Sequence, residues 1–490
     1  MHNRRMTRAV ARAWGPIVVV AFVACVWINQ GGEASELRAI QQPAFASPVA
    51  YLVDAIRYPF ALLYHRASDV KLYYELSSMM LGRPADSEFV QEKRGQLPPA
   101  FVLSSPPADG KWHIPYVEVP LEYPAMALPF LLGPRLLVSN YRDFGLAFGA
   151  LMGLCLVGAI IASLDAARAA GVEARGLRAR AWLASGLLVA HGAIAVQRLD
   201  AVTALWIALA VRAAVYRKPL AFGAWAGLAT ATKLVPVLML PALLAADAGA
   251  WRSPRRIAQF SLGFTVALAA GLGPMFAFSP RALASVVAYH AQRGLQCEST
   301  LGLVLATFRL VTGTRAPSTL SFGSHNIDGP AADALAALCG PLAVVAMLGL
   351  GCLAWRGATR AQRAAESRPD QQGRVACAAM AALIVLWLTG KVFSPQFMTW
   401  GLPIVLAVPG SFGIWLGDLL LAAMALTQVR PYGLLVEGRA LGLLVVGARQ
   451  VILAIAGYMA TRSIAGRAHA QKASTLLNPT PAHSATRPLP

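Results

Sequence analysis

The chain has 490 residues, of which 57% are hydrophobic and only 13% are charged. A soluble globular protein carries about 25% charged residues, so this chain lacks the polar residues needed to cover a soluble surface. The composition therefore excludes a water-soluble enzyme, a disordered chain and a disulfide-stabilised scaffold, and it predicts an all-α, polytopic membrane protein.

The first apolar run, Trp14 to Asn29, follows several arginines. A basic start with a short apolar core is also typical of a cleaved signal peptide. We favour a retained first transmembrane helix with a cytoplasmic amino terminus, because no clean Ala-x-Ala cleavage site follows the run.

Residues 30–122 contain no convincing span and are net acidic, with 11 acids against eight lysines and arginines. Many prolines divide this stretch into short helices and extended pieces, and we expect it to lie outside the cytoplasm. The next apolar piece, Tyr123 to Val138, is short and contains Pro129 and Pro134. It could span or lie along the outer interface, and the charges that flank the following span favour the interface.

Further apolar runs alternate with basic loops through the rest of the chain. Allowing ~20 residues for a full span, and fewer for short helices, gives about twelve transmembrane helices with both ends in the cytoplasm. After the first, the expected spans are Asp143–Leu164, Trp182–Gln197, Ala201–Tyr216, Leu220–Thr232, Leu234–Ala246, Ile257–Phe278, Ala332–Trp355, Ala376–Thr389, Phe397–Pro409, Phe412–Gln428 and Leu441–Tyr458.

The predicted organisation has six parts. They are a cytoplasmic start with the first helix (1–30), an extracytoplasmic loop with interfacial helices (31–142), a helix bundle (143–278), a second extracytoplasmic loop (279–331), a second helix bundle (332–460) and a disordered, basic tail (461–490).

The net charge of +20 has two interpretations. In a soluble protein it would indicate a nucleic-acid partner, whereas in a membrane protein lysine and arginine mark the cytoplasmic loops. The cations cluster between apolar runs, for example at Arg175, Arg178 and Arg180. The charge is therefore a signal of orientation, and we expect no nucleic-acid partner.

The six cysteines show no metal-ligand spacing. Five lie in apolar stretches, where a thiol behaves as a small hydrophobic group, and Cys297 lies in a predicted outer loop without an obvious partner. We expect neither a disulfide framework nor a zinc site.

An unusual set of polar residues falls at the extracytoplasmic ends of the predicted helices. Charges near a bilayer are costly and mark function when they do not simply reach water, and a one-sided cluster above a helix bundle suits an outward-facing active site. The set comprises Asp69, Glu122, Arg198, Asp200, Lys233, His290, Arg293, Glu298, Lys391 and Gln396. We expect Arg198 and Asp200 to form a structural loop pair outside the catalytic set.

These residues lie in a series of short motifs. The motifs are D-x-x-x-Y at Asp69, E-Y-P at Glu122, T-K-x-x-P at Thr232, H-x-x-R-x-x-x-x-E-S at His290 and G-K-V-F-S-P-Q at Gly390. In this order they resemble glycosyltransferase family 87, the alpha-mannosyltransferase-like branch of the GT-C membrane glycosyltransferases, over about residues 69–396. One departure is Ala125, where the family more often has a second proline.

The resemblance implies a GT-C-like helix bundle and an inverting, multi-pass enzyme of the plasma membrane. Such an enzyme transfers a hexose, with mannose the best-known case, from a polyprenyl-phosphate-linked donor to a lipid or glycan acceptor on the outer face. The family's catalytic acid maps onto Asp69, which would take the proton of the acceptor hydroxyl as general base.

Substrate binding is expected from the other residues of the motifs. They are Glu122, Lys233, His290, Arg293, Glu298, Lys391 and Gln396. A lipid-phosphate leaving group needs cations to hold its growing charge, and the lysines, the arginine and the histidine of this set are the candidates. No D-x-D motif occurs, so we expect no metal and no cofactor beyond the donor itself.

Some of these residues also have ordinary structural interpretations. Glu122 could cap the helix that follows it, and Glu298 could pair with Arg293 and shape their loop. Lys391 follows an apolar helix and could be the cation that complements the dipole at its carboxyl end.

Two other functions stay open. A transporter or flippase of lipid-linked sugars would place its polar site near the bilayer midplane, often within inverted repeats, and no such repeat is visible here. A polysaccharide polymerase or ligase would share the chemistry of a transferase but move larger donors.

Overall fold

The computed structural model describes residues 68–86, 88–90, 107–247, 251, 253–314, 317–429 and 432–465. The predicted first helix at 14–29, most of the first loop before residue 107 and nearly all of the 461–490 tail lie outside these residues. What is described is predominantly helical and apolar, which confirms the class of an α-helical membrane protein.

The elements follow one another along the chain with short connections. In order they are α1 (Ser68–Met80), α2 (Leu128–Leu137), α3 (Tyr141–Ala169), α4 (Ala174–His191), α5 (Asp200–Val215), α6 (Pro219–Thr232), α7 (Leu240–Ala246), α8 (Pro254–Phe278), α9 (Ala282–Gln292), β1 (Leu295–Gln296), α10 (Thr300–Val311), β2 (Thr319–Ser321), β3 (Ser324–Ile327), α11 (Pro330–Arg363), α12 (Arg368–Thr389), α13 (Met398–Ala407), α14 (Gly410–Val429), α15 (Tyr432–Val436) and α16 (Ala440–Ala465). Short 3-10 turns stand at Ala125–Ala127, Gly192–Ala195, Val235–Met239 and Pro395–Phe397.

Six helices of the described residues are long and apolar enough to cross a membrane: α3, α8, α11, α12, α14 and α16. Each coincides with a predicted span. The other five predicted spans of this region coincide with α4, α5, α6, α7 and α13, which are 7 to 18 residues long. The total of twelve spans stays a prediction.

The centre of the bundle is formed by α12 and α13. In the most apolar stretch of α12, 83% of the residues are buried inside the protein, against 22% for α8 and 28% for α11, and all ten residues of α13 are buried. Trp387 of α12 and Trp400 of α13 are the largest fully buried side chains. The apolar outer faces of α8 and α11 have the character of lipid-facing surfaces.

Helices α6 and α8 approach each other closely through glycine. A Cβ atom at Gly223 would stand 2.1 Å from the carbonyl oxygen of Phe260, and one at Gly263 would stand 2.1 Å from that of Leu220. Gly223 and Gly227 form a G-x-x-x-G sequence on α6, the pattern that allows helix backbones to touch in membranes. The close contact fixes the end of α6, where Lys233 lies.

The segment Tyr123 to Val138 forms the turn Ala125–Ala127 and the ten-residue helix α2. At 1.5 Å per residue, α2 is about 15 Å long, roughly half the thickness of a bilayer's hydrocarbon core. It is therefore too short to span as a helix, in agreement with the favoured interfacial interpretation.

The all-α expectation misses a small sheet in the segment 279–331. Its three strands have the order β1-β3-β2 with antiparallel pairing, and Leu295 faces Ile327 while Leu320 faces His325. Phe322 and Gly323 join β2 to β3 with φ angles of 50° and 66°, the positive values that a two-residue hairpin turn requires. Strands of two to four residues carry too little alternation to be read from a sequence.

Candidate active site

A cavity of about 1170 Å³ opens at one end of the bundle. Its walls come from α1, the segment before α2, the segment before α5, the first half of α11, the turn after α6, the α9–β3 region and the loop after α12. The eight predicted site residues all line it: Asp69, Glu122, Lys233, His290, Arg293, Glu298, Lys391 and Gln396. Segments far apart in the sequence are thus brought together in one enclosed space.

Asp69 lies in the first turn of α1, where its carboxylate forms an ion pair with Arg198. One turn further on, Tyr73 is fully buried, packs against Phe148 at 5.2 Å between ring centroids, and shares a hydrogen bond of 3.2 Å with the Tyr123 hydroxyl. The D-x-x-x-Y spacing therefore has a structural basis, because the tyrosine anchors the helix that presents the acid. Burial lowers the pKa of Arg198 to about 10.

The expected loop pair between Arg198 and Asp200 is wrong. Asp200 is the first residue of α5 and is fully buried, and its two carboxylate oxygens accept hydrogen bonds from Lys233 Nζ at 2.9 and 3.0 Å. Trp400 Nε1 donates to the same carboxylate at 2.8 Å. Residues two apart at a helix start do not face each other, so Arg198 and Asp200 pair in different directions. Asp200 balances the charge of Lys233.

Glu122 does not cap a helix. The turn that follows begins at Pro124 and α2 begins after Ala127, and neither start has a side-chain cap. The carboxylate of Glu122 has no cation within ion-pair distance among the described residues. Its main-chain oxygen lies 3.2 Å from His290 Nε2. Glu122 is thus a half-buried acid of the cavity wall without a charged partner.

His290 lines the cavity, and its Nε2 lies 3.2 Å from the main-chain oxygen of Glu122. The cavity walls around it lower the pKa of its imidazole to about 4, with burial as the main cause. The hydrogen bond to the Glu122 carbonyl requires a proton on Nε2 of the neutral ring, which leaves Nδ1 as an acceptor. A cationic role for His290 stays a prediction, and a hydrogen-bonding role is also compatible with its position.

Arg293 and Lys391 are cations without an acidic partner. Arg293 Nη2 donates to Ser324 Oγ at 3.2 Å, and Lys391 Nζ donates to the main-chain oxygen of Ala291 at 2.7 Å. Burial lowers the pKa of Lys391, and the nearby charge of Arg293 lowers it further. No carboxylate lies within ion-pair distance of either side chain in the part of the chain that the structure describes.

The position of Lys391 decides between its two interpretations. Its ammonium reaches across to α9 instead of folding back on the carboxyl end of α12, where Gly390 closes the helix. Two neighbouring positive charges repel each other and stabilise a bound anion. The pair Arg293 and Lys391 is therefore the anion-attracting part of the cavity.

Glu298 has a different partner from the one expected. Its buried carboxylate pairs with Arg449 Nη1 at 2.7 Å, and the two side chains are 2% and 1% exposed. No ion pair joins it to Arg293. Arg449 belongs to α16, a helix far along the chain, which is why the sequence suggested the nearer arginine. Gln396 lies half-buried in the turn Pro395–Phe397 beside the ring of Phe397, over which Lys233 Nζ stands at 5.1 Å.

Two buried polar neighbours of the site were not predicted from the sequence. Arg449 and Gln450 are a polar pair inside the predicted span Leu441–Tyr458. A buried cation within an apolar run is itself a signal of function and could have been noticed. The pairing of Arg198 with Asp69 and of Asp200 with Lys233 gives no such local signal.

The cavity also has an apolar wall. The segment after α6 contributes Leu234, Val235 and Leu238, and α11 contributes small residues that share one helical face, at Ala336, Cys339, Gly340 and Ala343. A Cβ atom added at Gly340 would meet nothing within 4 Å, so space remains beside it. Cys339 of this wall and Lys391 line the same cavity. The apolar wall therefore adjoins the cations.

Among the described residues, no cluster of three or more histidine, cysteine or acidic side chains could hold a metal ion, and the five described cysteines are free thiols. The chain matches no protein-family profile, no curated protein and no solved structure.

Proposed function

We propose that this chain is an integral membrane glycosyltransferase of the family 87 type. It transfers a hexose, with mannose as the first candidate, from a polyprenyl-phosphate donor to a lipid or glycan acceptor at the outer face of the plasma membrane, with inversion. The observation that carries the proposal is the distribution of charge in the cavity, where acids, two cations that have no acidic partner among the described residues, and an apolar wall share one space.

The proposed reaction assigns a separate task to each group. The acceptor hydroxyl oxygen forms a bond to the anomeric carbon as the bond from that carbon to the phosphate oxygen breaks. Asp69 takes the hydroxyl proton, and the neighbouring guanidinium of Arg198 pairs with its carboxylate. Arg293 and Lys391 hold the negative charge that the leaving polyprenyl phosphate acquires. Inversion follows because a single displacement occurs.

The apolar wall supports a lipid-linked donor over a soluble sugar nucleotide. A polyprenyl chain can lie along the small residues of α11 while its phosphate stays near Lys391, which adjoins Cys339 on the same wall. Burial of each CH₂ group contributes about 0.8 kcal/mol, so even a short stretch of the chain adds appreciable affinity.

A panel of donors tests the proposal. Purified protein in vesicles would receive labelled polyprenyl-phosphate sugars in one arm and labelled sugar nucleotides in the other, with membrane lipids as acceptors. We expect label to enter a new glycolipid or glycan only in the first arm. Transfer from sugar nucleotides alone, or passage of an unchanged donor across the vesicle membrane without a covalent product, would contradict it, and the second result would favour a flippase.

A further inference from the structure

Arg449 is a buried arginine in the interior of α16 that holds the chain around Glu298. It is 1% exposed, its Nη1 pairs with the Glu298 carboxylate at 2.7 Å, and its Nη2 donates to the Glu298 main-chain oxygen at 3.1 Å. Gln450 Nε2 donates to the same main-chain oxygen at 2.8 Å. One turn of α16 therefore fixes both the side chain and the backbone of a residue five positions after Arg293.

The same guanidinium contacts the second loop of the cavity. Its central carbon stands 4.7 Å from the centroid of the Phe393 ring, a fully buried side chain two positions after Lys391. The two loops are also joined directly, because Gln296 N donates to the Lys391 main-chain oxygen at 3.0 Å and Lys391 Nζ donates to Ala291 O at 2.7 Å. Arg449 thus contacts two loops, at Glu298 and at Phe393, that are also joined to each other by hydrogen bonds.

We infer that Arg449 is a positioning residue for the anion-binding pair Arg293 and Lys391, and that Glu298 serves the same purpose instead of touching substrate. The inference rests on the proposed function, because the anion in question is the phosphate of the lipid-linked donor. Arg449 touches neither cation; it holds the loops that present them, and it sets the distance between two like charges that would otherwise repel each other.

The chemistry of a buried ion pair supports a geometric role. Replacing such a pair by apolar residues of similar volume is often neutral or even stabilising, so stability alone does not require an arginine and a glutamate here. What the arginine supplies is a rigid fork of donors, one for the carboxylate and one for the carbonyl, together with a planar face for an aromatic ring. Three contacts from one side chain define the relative position of two loops.

The test measures binding of sugar-free polyprenyl phosphate to the full chain in nanodiscs, together with sugar transfer. The variants are Arg449→Met, Arg449→Lys and the neutral double variant Glu298→Gln/Arg449→Met. The matched control is Arg180→Met, which removes another buried arginine, one that donates to the carbonyls of Leu406 and Val408 and does not line the cavity. Thermal unfolding of each variant is recorded in parallel.

We expect Arg449→Met to weaken polyprenyl-phosphate binding by up to about 100-fold, because a misplacement of about 1 Å by a distant mutation can cost on the order of 10²-fold, with Arg449→Lys in between. The double variant no longer buries an unpaired carboxylate, so it should unfold close to the wild-type temperature but bind as weakly as the single variant. Arg180→Met should lose thermal stability and, where folded, bind polyprenyl phosphate as the wild type does.

Two results would overturn the inference, and they differ from each other. If the double variant binds polyprenyl phosphate with wild-type affinity, the ion pair contributes only to stability, although the proposed function stands. If the wild-type protein neither binds polyprenyl phosphate nor transfers sugar from it, the proposed function fails and the positioning role fails with it.

Discussion

At the scale of single residues, charge pairing decides which side chains of the cavity are available to a ligand. Lys233 is held by Asp200, and Arg198 is held by Asp69. Among the residues that the structure describes, Arg293 and Lys391 donate to neutral acceptors, Ser324 Oγ and the main-chain oxygen of Ala291. Four cations that look equivalent in the sequence thus fall into two groups, one structural or orienting and one free to bind an anion.

The lowered pKa of Lys391 gives a pH-dependent prediction. The ammonium form binds phosphate, so donor affinity is full below the pKa of the folded protein and falls as the pH rises through it. Because that pKa lies below the ordinary 10.5 of lysine, the KM for the donor should begin to rise at a lower alkaline pH than a free lysine would produce. Initial transfer rates over a range of pH and donor concentration would show this.

The variant Lys391→Arg is the control for that profile. An arginine side chain stays protonated throughout the accessible alkaline range, so the rise in donor KM should disappear or move to much higher pH. If the donor KM of this variant rises at the same alkaline pH as that of the wild type, Lys391 does not bind the donor.

The sequence predicted which residues line the cavity, but it did not predict which of them form ion pairs with one another. The motifs named eight residues, and all of them line one cavity. One interpretation of Glu298 was a pair with Arg293, only five positions away, whereas the structure pairs it with Arg449, 151 positions away. Pairings of this kind depend on helix rotation and packing, which local spacing does not encode.

At the scale of elements, the contact between α6 and α8 orients the turn that carries Lys233. A methyl group at Gly223 cannot be accommodated without moving the backbone of Phe260. We expect Gly223→Ala to destabilise the protein by about 1–3 kcal/mol, the usual cost of overpacking, although alanine is the better helix former. A lower midpoint in thermal unfolding would show it.

Gly349→Ala is the matched control, because a Cβ atom at that position of α11 meets nothing within 4 Å. It should unfold at or slightly above the wild-type temperature. Equal midpoints for the two variants would mean that α6 and α8 are less tightly packed than the structure indicates.

Element types could be predicted where apolar runs were long, and they could not where side-chain patterns were short. Every described long span coincides with a predicted one, because a membrane allows few other structures. The hairpin of β2 and β3 was not predicted from the sequence, because its turn is Phe322-Gly323 and its strands have only three and four residues. That hairpin nevertheless forms part of the cavity wall, with Phe322 and His325 among its lining residues.

At the scale of the whole molecule, the two ends of helix α5 lie in two different polar clusters. Helix α5 begins with Asp200 at the cavity and ends just before Arg217, which pairs with Asp247 at 2.9 Å and with Gln371 at 2.6 Å. Arg217 therefore lies at the opposite end of α5 from the cavity. By the positive-inside rule we expect the arginine-rich end to be cytoplasmic, in line with the proposal that the cavity faces outward.

The amino-acid composition that indicates a membrane protein also bears on which charged residues are left for the proposed reaction. We expect most of the 43 lysines and arginines to mark the orientation of the chain in the membrane, which leaves few for the proposed chemistry. Catalysis in a site of this kind depends on a base held next to a bound donor, and Asp69 is the side chain to which the account assigns that role.

The most direct test of this claim compares Asp69→Asn with Asp86→Asn in sugar transfer from a polyprenyl-phosphate donor. Asp86 is an acid of the same segment that is paired with Lys71 at 3.2 Å and does not line the cavity. Asparagine cannot accept a proton, so Asp69→Asn should lose on the order of 10²- to 10⁴-fold in rate while still binding polyprenyl phosphate, and Asp86→Asn should keep wild-type transfer. Transfer by Asp69→Asn at the wild-type rate would contradict the account.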